Sequence, residues 1–156
     1  MKRLKIFLAT AFLAFLLVFF VTSQMREREL TITPEVSVSM GSARVGVAIA
    51  DSPDEREKGL GGVSTLGDNE GMLFIFESAA VRNFWMKGMK IPIDIIWING
   101  GEVTNITKNI LPPASDTEND WLRLYSSETP IDRVLEVPAG FSDRNEIKVG
   151  DAVILE

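Results

Sequence analysis

Four residues of this chain combine a chemistry-bearing side chain with strongly apolar surroundings: Trp85, Lys87, Asp94 and Glu136. Three of them lie in the run Asn83 to Trp97, NFWMKGMKIPIDIIW, and the fourth in Val134 to Gly140, VLEVPAG. Burying a charge is costly unless a partner or a ligand relieves it, so each charged member is either half of a structural pair or part of a site. Alternate residues of a strand share a face, which puts Trp85 beside Lys87 and opposite Phe84 and Met86. With Phe84 and Met86 turned inward, Trp85 and Lys87 make an aromatic platform with a cationic donor, suited to a carboxylate, a sugar or a peptide. The plainer reading is that Trp85 covers a core edge while the lysine stem lies over it. Asp94 has the parity of Pro92, Ile96 and Ile98, and Glu136 that of Val134 and Pro138, so both carboxyls sit on otherwise apolar strand faces. Two carboxyls in unlike surroundings can divide the work of general acid and general base, as in glycoside hydrolysis. A structural carboxylate that accepts backbone N–H bonds or pairs with a cation fits the same pattern. If Lys87, Asp94 and Glu136 converge, they form one charged network inside apolar walls.

Composition removes most other chemistry. The 156 residues contain no histidine and no cysteine, so neither a Ser-His-Asp nor a Cys-His arrangement is available, nor any imidazole or thiolate metal site. The acidic run Asp116 to Asp120 offers oxygens at alternate positions. Trp121 stands where a calcium loop needs glycine and Ser127 where it needs glutamate, so it reads as a solvated loop. No metal and no cofactor is expected.

The N-terminus places Lys2, Arg3 and Lys5 before the run Ile6 to Val21, which is apolar except for Thr10. This pattern reads as an export signal or membrane anchor, with the rest of the chain outside the cytoplasm. Three of the 16 basic residues lie within the first 24, which hold no acid. The remainder carries 13 basic against 22 acidic residues, a net charge of −9. Phosphate backbones would repel such a domain, which excludes nucleic acid as a natural partner. The expected organisation is a signal peptide or anchor over 1–24, a stalk or linker over 25–40 that ends in an edge strand near Pro34, and one β domain over 41–156.

The elements that must hold the four residues are short and β-rich. Ala43 to Ala50 is a strand that ends at Asp51-Ser52-Pro53-Asp54-Glu55, where Ser52 caps, Pro53 takes the first helical position and Glu55 completes a capping box. The helix runs from Pro53 to about Leu60 and stops at Gly59, Gly61 and Gly62. Gly71 to Phe76, GMLFIF, is apolar on both parities, as a central strand covered on both faces should be. Ile91 to Ile98 and Glu102 to Thr107 form a hairpin through Asn99-Gly100. WLRLY, VLEVPAG and IKVGDAVIL supply the remaining strands. The fold class predicted is mainly β (α+β), a compact antiparallel sandwich or barrel with one short helix, preceded by the N-terminal signal or anchor helix.

Five segments, RVGVAIADSPDEREKGL, GMLFIF, FWMKGMKIPID, VLEVPAG and KVGD, taken in order from Arg44 to Asp151, resemble the domain of unknown function 192 family. The resemblance implies a small, mainly β fold behind an export signal and no established reaction. Family members often carry Met or Arg after the Gly-Leu that ends the helix, where this chain has Gly61-Gly62-Val63. The functional expectation is an extracytoplasmic module that binds a small molecule, a glycan or a partner protein. The alternatives are a carboxylate-dependent hydrolase of envelope polymers using Asp94 and Glu136, and a scaffold subunit of a membrane complex.

Overall fold

The computed structural model describes residues 31–114 and 122–156. The expected N-terminal signal or anchor, residues 25–30 of the stalk and the acidic run Asp116 to Asp120 lie outside the described residues. Within them the chain runs β1 (Val36–Met40), β2 (Ala43–Ala50), α1 (Pro53–Lys58), β3 (Glu70–Ala80), β4 (Asn83–Trp85), β5 (Ile93–Asn99), β6 (Glu102–Ile110), β7 (Leu124–Ser126), β8 (Ile131–Pro138), α2 (Phe141–Arg144) and β9 (Val153–Leu155). Seven strands form one sheet in the order β6-β5-β8-β3-β2-β1-β9, and β4 pairs with β7 in a separate ribbon. The pairing is antiparallel except between β2 and β3. There α1 carries the chain across, and a helical crossover returns the next strand in the same direction. The folded unit takes in Val36–Met40, which pairs with both β2 and β9.

The mainly β architecture is a sheet curled into a half-barrel. Its outer strands meet at one end, where Glu102 bridges Ala152, the Val103 N–H donates to the Asp151 carbonyl at 3.0 Å, and the Gly150 N–H donates to the Val103 carbonyl at 2.9 Å. Alternation then sorts the side chains. Val38, Val45, Leu73, Ile96, Val103 and Val137 come from six different strands and meet in one cluster, so theirs is the enclosed face. Phe141 of α2 and Ile147 fill that cluster. The outer face carries a second cluster with Ala50, Phe74, Ile95, Trp97 and Val134, covered by α1, the glycine-rich loop after it and the β4–β7 ribbon. Both faces of β3 and β5 are therefore dry, which is why GMLFIF and IDIIWI read as nearly unbroken apolar runs.

Local signals hold in most places. Ser52 and Glu55 form the capping box, with the Glu55 N–H donating to Ser52 Oγ at 3.3 Å and the Ser52 N–H to Glu55 Oε2 at 3.0 Å. The hairpin turn sits one residue later than expected: Asn99 stays in β5 opposite Glu102, and Gly100 (φ +59°) and Gly101 (φ +82°) make the turn. Two successive positive-φ residues match the strand twist, and a glycine pair supplies both without strain. Of IKVGDAVIL only Val153–Leu155 is strand, because Lys148 to Asp151 closes a turn through the Lys148 N–H on Asp151 Oδ2 at 2.8 Å. A second short helix, α2, was not expected; Asp94 holds it in place.

Candidate functional site

Asp94 and Glu136 lie on neighbouring strands but not on one face. Ile95 pairs with Glu136 and Asp94 with Val137, and paired residues point the same way. Asp94 therefore faces the enclosed side and Glu136 the outer side. This corrects the expected convergence of Lys87, Asp94 and Glu136, and it separates the two carboxyls proposed as an acid and base pair. Asp94 is fully buried, and its carboxylate accepts three backbone bonds: from the Asn109 N–H at 2.8 Å and the Gly140 N–H at 3.1 Å on Oδ1, and from the Ser142 N–H at 3.0 Å on Oδ2. It fixes the start of α2 to the end of β6, which seats Phe141 in the enclosed core. Satisfied backbone donors explain how the charge is tolerated.

Glu136 is the opposite case. It is 4% exposed, its neighbours on the same face are Met72 and Ile95, and its Oε2 has no hydrogen-bond partner. Burial alone pushes its pKa up to about 8, so at neutral pH it is largely a neutral acid that can donate as well as accept. It lies in a cleft of about 470 Å³ on the outer face.

The aromatic walls of that cleft come from β3 and β4. β3 supplies Phe74 and Phe76 on the parity of Met72. β4 supplies Phe84, whose ring stands edge-on to Phe74 at 5.0 Å and to Trp97 at 5.5 Å. One residue on, Trp85 points outward and is 41% exposed, with Lys87 Nζ 5.2 Å from its ring centre. The inward Phe84 and Met86 and the outward Trp85 and Lys87 alternate as expected. Lys87 also lies 3.9 Å from Glu57 Oε1, but both side chains are exposed and the pair contributes little.

Arg56 of α1 and Arg82 of the β3–β4 turn complete the rim. Their guanidinium carbons lie 5.3 Å and 4.3 Å from the Phe76 ring centre. Arg56 donates to the Asp51 and Ile75 carbonyls, the latter at 3.0 Å, and Arg82 donates through Nη2 to the Ser78 carbonyl at 3.0 Å. Arg82 Nε is buried without a partner. Buried Ser127 braces the turn: the Arg82 N–H donates to Ser127 Oγ at 3.0 Å, and the Ser127 N–H donates to the Arg82 carbonyl at 2.9 Å. Gly59 and Leu60 line the remaining side, with Gly61 next in the chain. A Cβ at Gly61 would stand 2.8 Å from the Lys58 carbonyl and 3.3 Å from that of Lys87, so only glycine lets the two loops meet.

The cleft thus gathers Trp85, Lys87 and Glu136 and leaves out Asp94. It adds Arg56, Arg82, Phe74, Phe76 and Phe84, none of them among the candidates from sequence. The alternation of Met72, Phe74 and Phe76 put the two phenylalanines on one face; nothing in the sequence tied Arg56 to that face, because the link is a tertiary one across the α1 crossover. Among the described residues no group of three or more acidic, histidine or cysteine side chains could hold a metal.

The profile of one family, DUF192, described as "Uncharacterized ACR", matches residues 36–155. The chain belongs to the domain of unknown function 192 family. The family match begins at β1 and ends with β9, so it covers the whole curled sheet, the ribbon and the cleft. Two solved structures are similar to it. A protein of Sinorhizobium meliloti 1021, described as a candidate transcription regulator, is 26% identical with a TM-score of 0.70, over 80% of this chain and 96% of that one. A protein of unknown function from Novosphingobium aromaticivorans DSM 12444 is 29% identical with a TM-score of 0.68, over 79% of this chain and 93% of that one. No curated protein matches the chain. In this member of the DUF192 family, Gly61 and Gly62 follow the helix, and the Gly62 N–H donates to the Gly88 carbonyl at 2.8 Å.

Proposed function

We propose that this DUF192 domain is an extracytoplasmic ligand-binding module, tethered or exported through its N-terminal segment, and that the outer-face cleft is its binding site. The observation that carries the reading is Glu136: a buried carboxyl at a cleft floor with an oxygen that no protein group satisfies. Leaving such a group unpaired costs about 1–3 kcal/mol, a cost that a ligand group hydrogen-bonded to it would relieve. The outward Trp85 and Lys87 offer a stacking surface and a donor at the mouth, as small-molecule and glycan sites do. Apolar walls with a few convergent polar groups are the usual composition of such sites.

The hydrolase reading lacks its second carboxyl, since Asp94 faces the enclosed core with its oxygens engaged. Nucleic acid is disfavoured by the net charge of −9 beyond Gln24. The test is a thermal-shift survey of the full chain in detergent micelles against small metabolites and oligosaccharides. A ligand that binds the folded form raises its apparent stability. The expected result is a stabilising ligand whose effect is lost in Trp85→Ala or Glu136→Ala. Hits indifferent to both variants, or no hit at all, would overturn the reading.

A further inference from the structure

The charges around the cleft narrow the class of ligand. The charged groups that share it with Glu136 are Arg56, Glu57 and Lys58 from α1, Arg82 from the β3–β4 turn, and Lys87. The strand neighbours Met72 and Ile95 are apolar. Four cations therefore face one exposed acid, and the field in the cleft is positive. A cationic ligand would compete for Phe76 and Trp85 with the cations already over them, Arg56 and Arg82 on the first and Lys87 on the second. Of the buried polar atoms without a protein partner, Arg82 Nε and Glu136 Oε2 belong to residues that line the cleft. The nitrogen is a donor only, and it carries part of a permanent positive charge.

We propose that the cleft takes a small organic anion, with an apolar body against Phe74 and Phe84 and its negative group among Arg56, Arg82 and Lys87. The neutral Glu136 carboxyl donates its O–H to a ligand oxygen at the floor. The inference rests on the cleft being a binding site and adds the charge class of what binds. Anion binding then keeps the proton on Glu136. Once that proton leaves, with a midpoint near 8, the floor becomes a buried negative charge with no donor to offer.

The probes are phenylacetate, phenylacetamide and phenethylamine, three bodies of like size carrying a negative, a neutral and a positive group. Calorimetric titration of the full chain in detergent micelles should give phenylacetate at least tenfold tighter binding than the other two at pH 6.5. Its affinity should drop roughly tenfold by pH 9 as Glu136 ionises. Glu136→Gln, which keeps a donor and cannot ionise, should bind with a flat profile across that range. Lys87→Met, an exposed change, should weaken phenylacetate several-fold, and Arg82→Lys should do so while keeping the charge at the turn.

Phenethylamine as the tightest ligand, or the amide equal to the anion, would overturn the anion class and leave a binding cleft standing. Binding of a neutral oligosaccharide that is lost in Trp85→Ala, with none of the three probes bound, would do the same. Phenylacetate binding that ignores pH and both cation variants would place the anion elsewhere and overturn the proposal. Failure of every ligand to distinguish wild type from Glu136→Ala would sink the cleft itself.

Discussion

Asp94 and Glu136 show how one residue type acquires opposite roles from opposite faces of a sheet. Asp94→Asn removes one acceptor and turns an NH2 group toward backbone donors, so we expect a loss of about 2–4 kcal/mol by urea denaturation. Its coupling to Lys87→Ala in a double-mutant cycle should be near zero, because the sheet lies between them. Coupling above about 0.5 kcal/mol would contradict the assigned faces. Glu136 behaves differently with pH. Its carboxyl is raised from 4.5 to about 8 by burial, so between those values the folded chain holds a proton that the unfolded chain has released. Stability from this residue is therefore fully present below pH 4.5, falls as pH rises toward 8, and is level beyond. The fall amounts to a few kcal/mol, at about 1.4 kcal/mol for each pH step between the two midpoints. Glu136→Gln should lack it, so the variant should gain on wild type between about pH 5 and pH 8.5 in urea denaturation. Parallel profiles would mean that Glu136 is already ionised. Parity in the sequence put both carboxyls on apolar faces. It could not say which face of the sheet each would occupy, because that depends on the Ile95 to Glu136 register between strands distant in the chain.

At the scale of elements, β4 separates stability from binding within two adjacent residues. Phe84 packs edge-on against Phe74, Phe76 and Trp97, so Phe84→Ala should cost about 2 kcal/mol or more. Trp85 stands outward, and Trp85→Ala should change stability by no more than about 0.5 kcal/mol. Equal costs in thermal melts would mean that β4 does not dock as described. The β5–β6 turn makes a second demand. Gly100→Val forces a β-branched residue to positive φ and should cost about 1 kcal/mol or more. The capping box, the central GMLFIF strand and the hairpin were legible because each is written in consecutive residues. The hairpin turn was placed one residue early because Asn-Gly and Gly-Gly both satisfy the turn, and only the Asn99 to Glu102 pairing chooses between them. Helix α2 was illegible for a related reason: its anchor, Asp94, is far away in the chain.

Across the whole molecule, a seven-stranded curl with one core inside and another outside gives a small domain two apolar faces to bury. The outer one is not fully covered by α1 and the ribbon, and the cleft is the gap that remains. None of the helices among the described residues is long and apolar enough to cross a membrane. The proposed tether is the run Ile6 to Val21, and its basic flank predicts that a reporter fused after Glu156 is active only outside the cytoplasm. Cytoplasmic activity would overturn that placement and leave the cleft unaffected. The central claim is that Glu136 waits, neutral and unpaired, for a ligand. Carbon-detected titration of its side-chain carboxyl in the full chain reads this directly, free and with phenylacetate. We expect a midpoint near 8 in the free protein that moves upward when the anion is bound. A midpoint at the ordinary 4.5, unmoved by the anion, would contradict it.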